Sequence, residues 1–137
     1  MAAVLVDSNV ILDVVTEDPR WFGWSSDKIA EWAEHSILLI NPIIYAEVSV
    51  RFNRIEDLDG ALPREFFHRS ALPWEAAFLA GKCFLQYRKR GGRRMAPLPD
   101  FYIGAHAATA NIPLLTRDVK RYRTYFPKLR LITPLDR

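Results

Sequence analysis

The chain has 137 residues, half of them apolar and 26% charged, the proportions of one ordinary globular domain. No apolar run approaches the roughly 20 residues of a membrane helix, and no basic N-terminal region with a cleavage pattern marks a secretory signal. The single cysteine, Cys83, excludes an intrachain disulfide and fits a reducing, cytoplasmic setting. The net charge of +3 conceals an asymmetry: residues 1–60 carry 11 acids against 4 bases, and residues 61–137 carry 5 against 15. A basic half suits either a phosphate-bearing partner or solvated helix faces.

Val4–Val6 reads as a short apolar strand that stops at Asp7, with Ser8 or Asn9 placed to cap the helix that follows. Asp18-Pro19 and Gly23 mark a loop, so Trp21, Phe22 and Trp24 suggest an apolar contact surface, for a partner, a second copy or the chain's own core. Ser25-Ser26-Asp27 begins a helix through about His35, with Ile29, Trp32 and Ala33 on its apolar face. Ile37–Ile40 is a second strand, unbroken in its apolar run as a strand covered on both faces should be. Asn41-Pro42 ends it, and a helix runs on through about Phe52, with Ile44, Val48 and Phe52 in phase.

Residues 53–73 carry the weakest pattern; Arg64–Ser70 fits a strand or a helix. Leu72-Pro73 opens a helix from Trp74 to about Arg90, whose apolar stripe reads Ala77, Phe78, Gly81, Phe84 and Leu85, and Gly91-Gly92 stops it. A basic loop leads from Lys89 to Pro99. Asp100 to about Ala110 is a helix rich in glycine and alanine, able to lie close to a sheet. Ile112–Leu115 is a strand, a basic helical turn follows Asp118, and a last strand lies near Leu131–Thr133. Strands alternating with helices argue for a parallel sheet covered on both faces.

Four acids fall where this pattern is otherwise apolar or at a strand end: Asp7, Glu47, Asp100 and Asp118. Ligand sites in parallel α/β sheets lie beyond the carboxyl ends of the strands, where strand order reverses. If the strands of Asp7 and Asp118 are neighbours, their carboxylates share that crevice, and Glu47 and Asp100 reach it from helices. Each has a plain structural reading too: Asp7 or Asp100 as a helix cap, Glu47 facing solvent, Asp118 in a turn. A cluster of carboxylates needs a counter-charge at neutral pH, and the cheapest is a hard divalent cation such as Mg²⁺ or Mn²⁺. His35, His68 and His106 are isolated and Cys83 has no CxxC partner, which leaves nothing for zinc.

The contexts Val4-Leu5-Val6-Asp7-Ser8-Asn9, Tyr45-Ala46-Glu47, Pro99-Asp100-Phe101-Tyr102-Ile103-Gly104-Ala105 and Leu115-Thr116-Arg117-Asp118, in that order, resemble a PIN domain. More narrowly they resemble the VapC-type toxins of toxin–antitoxin pairs. The resemblance implies one PIN-like domain over residues 1–137, a three-layer α/β/α fold with a mainly parallel central sheet. It implies a Mg²⁺- or Mn²⁺-dependent endoribonuclease that hydrolyses RNA phosphodiester bonds, with transfer RNA as a candidate substrate. Asp7, Glu47, Asp100 and Asp118 would be both catalytic and metal-binding, with Asn9 and Thr116 orienting them. It further implies an antitoxin partner and a toxin homodimer.

Lys82, Arg88, Lys89, Arg90, Arg93 and Arg94 precede Asp100, and Arg117, Lys120, Arg121 and Arg123 follow Asp118. Basic groups beside an acidic site are what RNA requires. Arg88, Lys89, Arg90, Arg93, Arg94, Arg117, Lys120 and Arg121 are therefore the candidate RNA contacts, although the basic loop equally suits an acidic antitoxin segment. Tyr102, Tyr122 and Tyr125 could stack bases or simply pack. Two other readings stay open: a PIN-like module that binds RNA or protein without cutting, and phosphotransfer on Asp7. The second wants an aspartate two residues after the nucleophile, where this chain has Asn9.

Overall fold

The computed structural model describes residues 2–134. Five strands, β1 (Ala2–Val6), β2 (Ser36–Ile40), β3 (Phe67–Arg69), β4 (Leu114–Leu115) and β5 (Leu131–Ile132), form one sheet in the order β3-β2-β1-β4-β5. Every pairing in it is parallel. Seven helices accompany it among the described residues: α1 (Ser8–Val15), α2 (Phe22–Ala33), α3 (Pro42–Ser49), α4 (Ile55–Ala61), α5 (Trp74–Lys89), α6 (Pro99–Ala110) and α7 (Lys120–Tyr125). From β1 the chain steps to β2 and β3 on one side, then returns across the sheet to β4 and β5 on the other. The right-handed rule for parallel crossovers expects α1–α4 on one face and α5–α7 on the other. The central strand is covered on both faces: Val4, Leu5 and Val6 are all fully buried. The order reverses between β1 and β4, where the crevice opens.

The Gly/Ala composition of α6 has the use its sequence implies. A Cβ at Gly104 would run into the Phe126 ring, so only glycine admits this close approach. Pro99 sits in the first turn, where its missing N–H costs nothing, and Asn111 ends the helix in the left-handed region at φ 56°.

Several boundaries differ from the sequence reading. The cap of α1 is Asp7 itself, whose carboxylate accepts from the Ser8 amide, rather than Ser8 or Asn9. Helix α2 starts at Phe22, because the Asp18 carboxylate accepts from the Arg20 and Trp21 amides and winds the chain early. Phe22 and Trp24 therefore belong to a helix and not to a loop. Helix α3 ends at Ser49, short of Phe52. The weak region resolves into α4 and the short strand β3. Strand β4 holds only Leu114 and Leu115.

The stripe of α5 is shifted around the helix. Ala76, Ala80 and Cys83 are buried against the core, while Phe78 and Leu85 are 69% and 50% exposed. Helices α5 and α6 pack closely, and small side chains allow their backbones to approach.

Candidate active site

Asp7 ends β1 with its amide still in the ladder, donating to the Leu115 carbonyl of β4 at 2.9 Å. The β1–β4 register pairs Val6 with Leu115, so Asp7 stands beside Thr116. Thr116 is itself held from the other side, its amide donating to the Ile132 carbonyl. Its hydroxyl donates to Asp7 Oδ2 at 2.7 Å and accepts from the Asn9 amide group at 3.2 Å and the Asp118 backbone amide at 3.0 Å. Asn9 also reaches Asp7 Oδ2 at 3.4 Å and accepts from the Arg117 amide. Asn9, Thr116 and Asp7 thus form one network that ties the start of α1 to the end of β4.

Two residues join this network in roles that the sequence pattern does not assign them. The buried Tyr122 hydroxyl lies 3.0 Å from Asp7 Oδ2 and 3.5 Å from Asp100 Oδ1. One phenolic proton serves the nearer acceptor, Asp7. Fully buried, Tyr122 has no ring face open to a base. Ser8 donates through its hydroxyl to Glu47 Oε1 at 2.7 Å, linking α1 to α3. Oδ2 of Asp7 takes three donors, while Oδ1 takes the Ser8 amide at 2.7 Å; the Ser8 hydroxyl, 3.5 Å away, gives its one proton to Glu47.

The electrostatics are those of crowded acids. Burial pushes the Asp7 carboxyl up from 3.8 to about 7; Thr116 opposes this, and Asp100 and Glu47 add to it. Glu47 is raised by burial and by Asp100, against the Ser8 hydrogen bond. Asp100, in the first turn of α6, is raised by burial and then by Asp118, with Arg121 and Tyr122 opposing. The Arg121 guanidinium stands 3.8 Å from Asp100 Oδ2, a loose ion pair. Asp118 makes no ion pair among the described residues and lines an adjacent cavity.

The basic residues divide. Arg117 turns away from the crevice and clamps Asp13 with two hydrogen bonds of 2.6 and 2.8 Å, its guanidinium 5.0 Å from the Trp21 ring. Trp21 thereby covers an ion pair of the chain's own core. Arg88 donates to the Arg94 carbonyl and pins the loop that carries Arg93 and Arg94. Arg90, Lys120 and Arg121 line the cavity beside Asp118. Lys89, Arg93 and Arg94 are exposed.

The donor set is carboxylate oxygens with hydroxyl and amide support, the chemistry a hard divalent cation prefers, and their mutual repulsion is what a cation relieves. Among the described residues, no three histidine, cysteine, aspartate or glutamate side chains stand close enough to form a ready-made coordination group.

An all-parallel five-stranded sheet with an acidic crevice at its switch point defines an α/β protein with a strand-end site. The chain belongs to the PIN domain family, whose sequence model matches residues 4–127. No curated protein matches the sequence. Solved structures of the same fold include a chain of VapBC2 from Rickettsia felis bound to a DNA fragment from its promoter. That match has a TM-score of 0.72 at 17% identity and covers 96% of this chain and 98% of that one. VapBC-1 from nontypeable Haemophilus influenzae matches at TM-score 0.70 and 21% identity, covering 96% and 97%. A toxin–antitoxin complex from Klebsiella pneumoniae matches at 0.69 and 18%, covering 98% and 99%.

Proposed function

We propose that this chain, read as one PIN-like unit over residues 1–137, is a metal-dependent endoribonuclease and the toxin of a type II toxin–antitoxin pair. The observation that carries the proposal is that Asp7, Asp100 and Glu47 share one hydrogen-bond network: the Tyr122 hydroxyl lies 3.0 Å from Asp7 and 3.5 Å from Asp100, and Ser8 joins Asp7 to Glu47; burial and neighbouring acids raise the pKa of all three. A protein gains nothing in stability from such crowding, so the arrangement fits a site that holds charge for a ligand.

Mg²⁺ or Mn²⁺ would be held by Asp7, Glu47, Asp100 and Asp118. Bound there, the cation supplies charge to the phosphorane-like transition state and acidifies the attacking water. The chain's own groups do the rest. Thr116, Tyr122 and Asn9 fix Oδ2 of Asp7 and leave Oδ1 the less engaged oxygen. Ser8 orients Glu47. Arg90, Lys120 and Arg121 offer charge to the RNA backbone beside the acids, and Arg88, Lys89, Arg93 and Arg94 extend it along the loop. Arg117, clamped on Asp13, supports the site by holding α1 to the end of β4.

The partners in this reading are RNA, of which transfer RNA is the candidate, an antitoxin and a second copy of the chain. The antitoxin is supported by the toxin–antitoxin complexes that share the fold. A cytoplasmic site of action goes with it; no helix among the described residues is long and apolar enough to cross a membrane.

Asp7→Asn and Asp100→Asn are expected to fold normally and to lose Mn²⁺-dependent RNA cleavage by more than roughly 100-fold. Cleavage persisting in both, or undiminished by EDTA, overturns the assignment. The absence of a ready-made coordination group favours one second reading, a PIN-like module that binds without cutting. In that case calorimetry finds no Mn²⁺ binding to the wild-type protein.

A further inference from the structure

Helix α5 carries two seams. Ala76, Ala80 and Cys83 turn inward and are buried. Trp74, Phe78, Gly81 and Leu85 run along the opposite side, separated by four, three and four residues. That is the spacing of an apolar coiled-coil seam, on which a facing helix packs. The chain leaves this seam open: Trp74 is 88% exposed, Phe78 69% and Leu85 50%. Lys82 leans on the Phe78 ring at 5.0 Å from the flank and leaves most of it bare. The two rings alone present about 300 Å² of apolar surface, as much as marks an interaction site on an ordinary monomer.

The seam is complementary to itself. A second α5 can lie antiparallel across it, with the two-fold axis passing between Leu79 and Ala80. Phe78 then faces the partner's Gly81, and Trp74 faces the partner's Leu85. Gly81 is a notch: a Cβ built there meets nothing within 4 Å, so no packing inside the chain asks for glycine. Glycine well inside a 16-residue helix lowers its stability, and a ring seated on it from outside gives it a use. On the flank Glu75 falls beside the partner's Lys82, and the two-fold repeats the pair. Arg88, next along the seam, is drawn off to the Arg94 carbonyl, so the seam ends at Leu85. We infer that the outward seam of α5 is a homodimer interface, in which two copies pack α5 antiparallel with Phe78 on the partner's Gly81. An anionic lipid surface would take the rings and Lys82 but repel Glu75. The inference gives the second copy of the toxin reading a surface, and it rests on α5 rather than on cleavage.

The test is sedimentation velocity of the intact protein from about 1 to about 100 μM, the range in which an interface of modest area dissociates. The wild type is expected to pass from monomer to dimer across it. Phe78→Glu, at an exposed position, is expected to weaken the dimer about 100-fold with an unchanged circular dichroism spectrum. Glu75→Lys and Lys82→Glu each set like charges together across the axis and are expected to weaken it about 5-fold. Both changes in one chain should restore it. Within one helix the two residues are seven apart, beyond the reach of a pair, so restoration reads a contact between copies. Gly81→Gln should have opposite effects: a higher Tm for the dilute monomer and a dimer weakened about 10-fold by the filled notch. A wild type still monomeric at the highest concentration overturns the inference, as does a dimer indifferent to Phe78→Glu. A dimer lost in Glu75→Lys and not regained in the double variant overturns it too. A monomer that floats with phosphatidylglycerol vesicles, and fails to in Phe78→Glu, overturns it in favour of a lipid surface. RNA cleavage by the wild type with Mn²⁺ is measured separately; its absence removes the ribonuclease reading and leaves the dimer standing.

Discussion

Helix α1 is capped by one buried aspartate, Asp7, and carries another, Asp13, six residues on, and the fold treats them in opposite ways. Asp13 is 3% exposed and Asp7 is 2% exposed. Asp13 receives a bidentate guanidinium from Arg117 and a hydroxyl from Ser25 at 2.6 Å. Asp7 receives only neutral donors and faces Asp100 and Glu47. Equal burial thus produces a neutralised structural pair at one end of the helix and an uncompensated acid at the other. What separates a structural carboxylate from a candidate catalytic one here is the sign of its neighbours, not its depth.

The largest effect that breaks the contrast is in pH. The Asp7 carboxyl titrates near 7 when folded and near 3.8 when unfolded, so between those values the unfolded chain binds fewer protons than the native one. Stability therefore falls as pH rises through that window, by up to about 4 kcal/mol from Asp7 alone. Urea unfolding in EDTA across pH 4 to 7 is expected to show this slope in the wild type and lose most of it in Asp7→Asn. Next comes the paired end. Arg117→Met leaves Asp13 buried without its cation and is expected to cost about 3 kcal/mol in urea unfolding. Adding Asp13→Asn should recover most of that loss, since the stranded charge is removed.

Metal should act on Asp7 and not on Asp13. At tenfold above its dissociation constant, Mn²⁺ is expected to stabilise the protein by about 1.4 kcal/mol, read as a rise in Tm, and Asp7→Asn should abolish the rise. The smallest effect falls on the link to α3. Ser8→Ala removes the hydroxyl that holds Glu47 and is expected to cost about 1 kcal/mol in thermal unfolding.

Much of the architecture is legible from local pattern. Short apolar runs alternating with helical periodicity mean a parallel sheet, and β1, β2, α3 and α6 all appear within a few residues of where the pattern puts them. The phase of α5 is not legible. Large apolar residues dominate the count, yet the helix buries its alanines and cysteine because α6 packs close beside it. The length of α2 misleads as well, since Gly23 signals a loop while the Asp18 carboxylate, five residues earlier, starts the turn.

The amino-acid sequence by itself determined that an acid would end β1, that another would follow β4, and that Glu47 and Asp100 would ride on the intervening helices. Those are consequences of local order along the chain. The tertiary structure decided which charges meet. Asp7 finds Thr116 and Tyr122, and Asp13 finds Arg117, across more than 100 residues of intervening chain. These partnerships follow from the parallel register of β1 on β4, which places Asp7 beside Thr116. A residue's own neighbours in sequence carry no trace of that register. Arg117 reads as a free cation next to an acid of the site until the sheet closes and hands it to Asp13, leaving Asp7 without one.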